Sequence, residues 1–505
     1  MSESKSEAPS PQEQQLFDTA HRAAEAYSTY SRSQVEKIVK AVAAAAADKA
    51  EFYAEWAVRE TGFGDVPSKT IKNLSNSSET AAAHDIADYV EPKVDHENKI
   101  VSFPKPAGVI VALIPSTNPV ATVFYKAICA LMTRNAVIMC PHPGAKECSA
   151  HAVDLMEEVA VAAGAPKGLI QSLRQPSVPM VNRMMQSDRT SLILATGGPA
   201  MVRAAYSSSN PAIGVGAGNV ACYVHSSADL AKTAEHIVSS VGYDNSLPCT
   251  CESVVIADRE IGDALATEMQ KAGAHHVENP EELSRLRTFL FPEGKMNPQA
   301  IGKSAEWIAQ RAGIQVPAGT KALGVEIFTI GREEPISKEK MFPLVGFIKV
   351  DGGVQAAIRT ALAMLVMHGK GHSAVIHARD PEVVARYGDA VPVCRISVNA
   401  PGVSGSSGVA TNLTPGPIIG TGFFGRSSVS ENVGPKHLIQ WTHVAYHKDP
   451  SEVMGDMDGA VAKLLAEAGR KTANTANGNV NVETDQLRAL IKEVVSDELR
   501  NLLRA

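Results

Sequence analysis

The stretch best equipped for chemistry is Gly242-Tyr243-Asp244-Asn245-Ser246-Leu247-Pro248-Cys249-Thr250-Cys251-Glu252. It is a turn-rich loop between a helix-patterned segment (230–241) and a strand-like run (253–257). A cysteine thiolate is intrinsically nucleophilic, and a site that lowers the thiol pKa makes more of it available at neutral pH. Cys249 is the candidate nucleophile. Taken alone, the loop reads more ordinarily as a place for buried free cysteines, which behave as small hydrophobes. Other segments alter that balance. Pro115-Ser116-Thr117-Asn118-Pro119 follows an apolar strand pattern, where substrates of open α/β sheets sit. There the Asn118 amide can donate to a developing oxyanion, although an Asn-Pro turn is the plainer reading.

Three more runs carry possible cofactor or proton chemistry. Ala195-Thr196-Gly197-Gly198-Pro199 opens a helix after a strand. Its glycines allow close approach and the helix N-terminus favours an anion such as a pyrophosphate; a plain strand-to-helix turn explains it equally well. Glu333-Glu334-Pro335 offers a carboxylate for ribose hydroxyls, or simply an exposed acidic turn. His368-Gly369-Lys370-Gly371-His372-Ser373 lies between a helix and a strand, and either histidine can titrate near neutrality or be a surface-loop residue. Gly214-Val215-Gly216-Ala217-Gly218-Asn219 is not a dinucleotide fingerprint: its spacing is G-x-G-x-G and a strand follows it.

The elements that must position these residues follow a regular pattern. Residues 14–83 are helix-patterned and 92–106 extended. Strand runs at 108–114, 136–140, 169–173, 191–195 and 220–224 then alternate with helices at 120–132, 145–163, 178–185 and 199–206. The alternation resumes beyond Cys249, with strands at 254–256, 323–330, 347–350, 374–377 and 395–398 and helices at 261–272 and 354–367. Near-continuous apolar strands separated by helices predict a parallel, doubly wound α/β fold in two units, with Cys249 near their seam. Residues 399–432 are rich in Gly, Ser, Thr and Pro, too broken for core and long enough to be a functional loop or an interface arm. Residues 438–446 read as an edge strand, and 467–482 as a polar linker.

At 505 residues the chain can bury a large core and hold about two to three domains. Its 44% hydrophobic and 20% charged content is that of a soluble globular protein. A formal net charge of -6, with no basic block, argues against nucleic acid. Seven irregularly spaced cysteines imply a reducing compartment, and the Cys249/Cys251 pair lacks a second pair at zinc spacing. With no signal pattern and no membrane-length apolar run, a cytoplasmic location is expected.

Taken in order, these segments resemble the aldehyde dehydrogenase superfamily over about residues 14–447, in particular its CoA-acylating branch, including the aldehyde half of bifunctional alcohol/aldehyde dehydrogenases. The resemblance is carried by 108–143, 193–220, 243–249 and 428–438, the last reading Ser-Val-Ser-Glu-Asn-Val-Gly-Pro-Lys-His-Leu. Residues 1–13, rich in Ser, Glu, Pro and Gln, read from composition as a disordered start; the resemblance implies a Rossmann-like NAD domain (14–245), a catalytic α/β domain (246–415) and an oligomerisation arm returning to the NAD domain (416–450). Cys249 takes the place of the catalytic thiol and Asn118 of its oxyanion donor. Pro115, Ser116, Thr117, Thr196, Gly197, Gly198 and Gly216 fall at the cofactor site. His142 and Pro143 fall where the adenosine ribose is contacted, and Glu334 where the nicotinamide ribose is held. His372 matches a Gly-His motif of the acylating branch. Hydrolytic members carry a Glu as base for water; here Gly214-Val215-Gly216-Ala217 has no carboxylate. A better nucleophile must then release the acyl group.

The implied activity is ping-pong oxidation of an aldehyde through a Cys249 thioester to acyl-CoA, with NAD (or NADP) and coenzyme A. The aldehyde is expected to be short, propanal- or acetaldehyde-like. A hydrolytic enzyme and one for a substituted aldehyde such as sulfoacetaldehyde are the alternatives, and a homodimer or homotetramer is expected. Beyond a helix and linker at 451–481 comes 482–505. There Leu487, Leu490, Ile491, Val494, Val495, Leu499, Leu502 and Leu503 make one apolar stripe. This amphipathic helix resembles an encapsulation peptide binding shell proteins of a bacterial microcompartment; coiled-coil assembly or docking on its own subunit are the alternatives.

Overall fold

The computed structural model describes residues 9–473. Order begins earlier than composition suggested. Ser10 caps helix Pro11–Tyr27 through a reciprocal box with Glu13, which is itself buried against Arg183. Four further helices between Arg32 and Ala82 form an N-terminal layer. Strand β1 (Lys93–Asp95) pairs antiparallel with β2 (Ile100–Pro106).

A parallel sheet follows, built from β3 (Val109–Ile114), β4 (Ala136–Pro141), β5 (Ile170–Ser172), β6 (Leu192–Ala195) and β7 (Ala212–Gly214), in the order β5-β4-β3-β6-β7. Every residue of β3 and β4 is buried, as their unbroken apolar runs require when helices cover both faces. Helix Pro119–Met132 is also buried throughout, and it is apolar all round apart from Thr122 and Lys126. The chain order reverses between β3 and β6, which opens a crevice beyond their carboxyl ends.

The second parallel sheet contains β8 (Val220–Val224), β9 (Glu252–Asp258), β10 (Ala274–His276), β11 (Ala322–Glu326), β12 (Leu344–Val350), β13 (Ala374–His377) and β14 (Ile396–Val398). Its order is β10-β11-β12-β9-β8-β13-β14. Last comes β15 (Ile439–Ala445), pairing antiparallel with β2 from Ile439 opposite Pro106 to Ala445 opposite Ile100.

Several boundaries differ from the sequence reading. The strand at 220–224 belongs to the second sheet, where it pairs with β9 and β13, so the chain changes sheets at 215–219 rather than at 245. Helix Leu230–Gly242 goes with it, burying Ala234, Ile237, Val238 and Val241 against β8 and β9. The short β7 had no periodic signal. The strand expected to run to Ile330 stops at Glu326, because Phe328 turns outward and is 82% exposed. Residues 399–432 are not all surface loop: helix Gly402–Ser406 and the buried Ile418, Ile419, Thr421 and Asn432 tie this segment into the body. Helix Met457–Ala473 extends into the expected linker. The amphipathic segment 482–505 lies outside the described residues. Among those described, no helix is long and apolar enough to cross a membrane.

Candidate active site

Cys249 sits between helix Leu230–Gly242 and β9, after a tight turn in which Asp244, Asn245 and Ser246 all have left-handed backbones (φ 47, 53 and 61). Three consecutive non-glycine residues in that region persist only where the surroundings over-determine them. The Asp244 carboxylate, fully buried, accepts from Lys69 Nζ (3.1 Å), Lys72 Nζ and the Asp65 backbone N–H (3.0 Å), and its own N–H donates to Ser68 Oγ (3.0 Å). These bonds hold the turn that delivers the thiol. Burial draws the Lys69 ammonium down to about 8 despite Asp244.

The Cys249 Sγ lies 3.1 Å from His372 Nε2, and His372 Nδ1 lies 2.9 Å from Ser373 Oγ. His372 is fully buried, and burial followed by the Arg395 charge holds it down to about 3. The imidazole is neutral, with Nε2 open to accept the thiol proton. Burial, then the Glu339 carboxylate, pushes the thiol up to about 12, against the weaker opposing pull of a backbone N–H, Arg395 and Lys72. The resting pair is therefore thiol and imidazole, not the low-pKa thiolate suggested by the residue types alone. Cys251 is buried, its thiol raised further by burial.

Asn118, half-buried at the start of helix Pro119–Met132, accepts from Lys72 Nζ through Oδ1 (2.6 Å). The Thr117 carbonyl accepts from Lys69 (2.9 Å). Pro115 and Ser116 lie in the same half-buried turn at the end of β3. Across the crevice, Thr196 Oγ1 is buried without a hydrogen-bond partner. Nothing lies within 4 Å of where a Cβ on Gly198 would be, and only Met201 approaches that of Gly197. An orphaned hydroxyl beside an open glycine turn at the β3/β6 crevice fits a dinucleotide. The buried Lys126 ammonium braces the crevice floor by donating to Leu113 O (2.6 Å) and Leu194 O (2.8 Å). His142 is exposed at the end of β4, and Pro143 opens the next turn. Gly216 lies against Thr421.

Glu334 is not available for a ribose. Arg287 grips its carboxylate with two bonds of 2.8 and 2.7 Å, and the Ile336 N–H adds a third at 3.0 Å. The carboxylate that faces the thiol is Glu339, which sequence reasoning missed. Its Oε1 accepts from Gly218 N–H (3.1 Å), and burial raises it to about 7. Its one sequence signal was an acid between Lys338 and Lys340 at the approach to a buried strand. Arg395, also missed, is 5% exposed and donates to the carbonyls of His372 (2.8 Å), Gly420 (2.6 Å) and Ser430 (2.6 Å). A lone arginine beside an apolar strand run was its signal. Gly214 has no space for a side chain: a Cβ would come within 2.7 Å of Val202 and 2.9 Å of Tyr206.

A cysteine paired with a neutral histidine beside a dinucleotide-shaped crevice accords with the comparisons. The model of the aldehyde dehydrogenase family matches residues 4–310, and the chain belongs to that family. It is 36% identical over 440 residues to the succinate-semialdehyde dehydrogenase (acetylating) of Clostridium kluyveri, covering 87% of this chain and 96% of that one. It is 33% identical over 511 residues to the bifunctional aldehyde-alcohol dehydrogenase AdhE of Escherichia coli, covering 97% of this chain but 55% of the relative. Among solved structures, an acetylating aldehyde dehydrogenase from Geobacillus thermoglucosidasius superposes with a TM-score of 0.84 at 37% identity, covering 86% of this chain and 96% of the other. A Rhodopseudomonas palustris propionaldehyde dehydrogenase with bound CoA and an acylated cysteine gives 0.79 at 29%, covering 86% and 96%. A propionaldehyde dehydrogenase from the Clostridium phytofermentans fucose utilisation bacterial microcompartment gives 0.78 at 28%, covering 86% and 97%.

Proposed function

We propose that this chain oxidises a short-chain aldehyde to its acyl-CoA with a nicotinamide dinucleotide and coenzyme A, through a thioester on Cys249. The observation that carries this reading is the Cys249–His372 pair, 3.1 Å apart, combined with the absence of any carboxylate from 214–217. His372 Nε2 takes the thiol proton as sulfur attacks the carbonyl carbon. The hemithioacetal oxyanion is held by the Asn118 amide and a backbone N–H. A nicotinamide dinucleotide would be held in the β3/β6 crevice by the Thr196–Gly198 turn, with Glu339 rather than Glu334 free to hold its ribose, and would supply the hydride acceptor that turns the hemithioacetal into the thioester. His372 releases the proton it took from Cys249 to solvent; the CoA thiol then attacks the thioester carbon, gives its own proton to His372, and displaces the Cys249 sulfur, which takes the proton back from His372 as the thiol is restored. The turn Thr421–Gly425, which carries the exposed Phe423 and Phe424, packs against Gly371, next to His372.

The acetylating relatives and the CoA-bound propionaldehyde dehydrogenase support this reading over hydrolysis. A steady-state panel of aldehydes, including sulfoacetaldehyde, with NAD, NADP and CoA, analysed for acyl-CoA and free acid, tests it. Free acid formed equally fast without CoA would refute it. The outer edges of the β1-β2-β15 sheet supply a surface for a homodimer or homotetramer. Residues 482–505 would carry the enzyme to microcompartment shell proteins, a reading supported by the microcompartment relative. Removing 480–505 should leave activity and oligomeric state intact and abolish co-purification with shell proteins; a truncated enzyme that dissociates would point instead to an assembly helix.

A further inference from the structure

Helix Val66–Leu74 carries neither the thiol, the histidine nor the Asn118 amide, yet it binds both loops of the site. Ser68 and Lys72 lie one turn apart on one face. Toward the thiol loop, Ser68 Oγ accepts from the Asp244 N–H (3.0 Å), the Ser68 carbonyl accepts from Tyr243 Oη (3.2 Å), and both Lys69 and Lys72 reach the Asp244 carboxylate. Toward the other sheet, Lys69 donates to Thr117 O (2.9 Å) and Lys72 to Asn118 Oδ1 (2.6 Å). The loop holding Cys249 and the loop holding Asn118 grow from different sheets. This helix holds hydrogen bonds to both.

The Lys72 contact fixes more than position. An asparagine amide has an accepting end and a donating end of nearly equal shape, and only its partners decide which way it faces. An ammonium has three donors and no acceptor, so the end of Asn118 that meets Lys72 must be the oxygen. The NH₂ end is then turned away from Lys72, and its other contact, Thr117 Oγ1 at 3.5 Å, is too long to hold it. Without Lys72 the amide can flip and present a lone pair to an oxyanion, which repels it. Lys72 itself is tethered by Asp244 and lies 5.5 Å from the Tyr243 ring, at 12% side-chain exposure.

Resting on the reading of Asn118 as oxyanion donor, we infer that Lys72 is a positioning residue that sets the orientation of the Asn118 amide and, through Asp244, locks it to the loop carrying Cys249. The charged and titratable groups facing the thiol are His372, Glu339, Arg395, Cys251 and Lys72, and of these Lys72 alone also contacts Asn118.

The test is a double-mutant cycle on the full-length enzyme, read as the single-turnover rate of dinucleotide reduction with propanal. Asn118→Ala should lower the rate about 10²-fold, the cost of one oxyanion donor. Lys72→Met should lower it by a similar factor with the aldehyde KM within about threefold, and Lys72→Arg should recover most of the loss. Lys72→Met in the Asn118→Ala background should cost less than about threefold more. If the two losses multiply, if Lys72→Arg is as slow as Lys72→Met, or if the change falls on KM alone, the inference is wrong. Full activity in Asn118→Ala would instead refute the oxyanion reading on which it rests. Should Lys72→Met fail to fold, Lys72→Gln enters the same cycle, with the same outcomes.

Discussion

Gly218→Ala should disable the enzyme while adding one methyl group. A Cβ at 218 would lie 2.0 Å from the Cys249 carbonyl oxygen and 3.4 Å from Glu339 Oε1. The first distance is far inside van der Waals contact, so Cys249 and residue 218 must separate by more than about 1 Å. Both are held: Gly218 N–H donates to Glu339 at 3.1 Å, and the Cys249 thiol reaches His372 at 3.1 Å. The clash involves backbone on both sides, so no side-chain rotation relieves it. A shift of about 1 Å at Cys249 stretches the thiol–imidazole bond beyond useful length, and misplacement of that size costs roughly 10²-fold in rate. The overpacking should also cost about 1–3 kcal/mol of stability. Single-turnover dinucleotide reduction at saturating aldehyde, together with iodoacetamide labelling of Cys249 followed by mass spectrometry, reads both the chemistry and the thiol. A Gly218→Ala enzyme within threefold of the wild-type rate would refute the close-approach argument.

Cys249→Ser should lose several orders of magnitude in rate and form no thioester, whereas Cys251→Ser, buried and away from the histidine, should stay within about tenfold; inactivation tracking label at Cys251 would reverse the assignment. With the thiol pushed up to about 12 and His372 neutral down to about 3, alkylation of the resting enzyme should climb steadily from pH 7 to 10. A plateau reached below pH 7 would reveal a thiolate–imidazolium pair and contradict the geometry. Glu252 is fully buried, with Oε2 unpartnered and Oε1 accepting from Gly402 N–H (2.7 Å), and burial raises its carboxyl from 4.5 to about 7. The folded state thus keeps a proton that the unfolded chain releases, so stability falls as pH rises from about 4.5 to 7. Glu252→Gln should flatten that slope in thermal unfolding between pH 5 and 8; an unchanged slope would show that Glu252 does not titrate there.

What was legible in the sequence was local. Cys249, Asn118 and the 196–198 turn each follow an apolar run, and the run itself locates the end of a strand or helix where a site residue can stand. What was illegible depended on pairing across the chain. The apolar pattern of 220–224 declares a buried strand but not its sheet, because both sheets accept the same residue types. Glu334 and Glu339 lie in one irregular segment, and only the arrival of Arg287, from helix Pro280–Leu290, removes the first from consideration. Arg395 and Lys72 likewise act on carbonyl and amide oxygens far along the chain, with no spacing to betray them. His372 could be matched to a motif, but its partner could be known only once the loop was folded beside Cys249.

The strand order of the second sheet has a consequence for how the enzyme is born. Two inner strands, β8 and β9, are the first of the seven to be synthesised; β12 is made after β10 and β11 yet lies between them and β9, and β13 and β14 complete the other flank last. The thiol between them leaves the ribosome more than a hundred residues ahead of its histidine and of the arginine that holds that histidine's carbonyl. A nascent chain that ends short of them therefore carries the cysteine without its proton acceptor, and the thiol–imidazole pair comes into being only when β13 and β14 close the sheet.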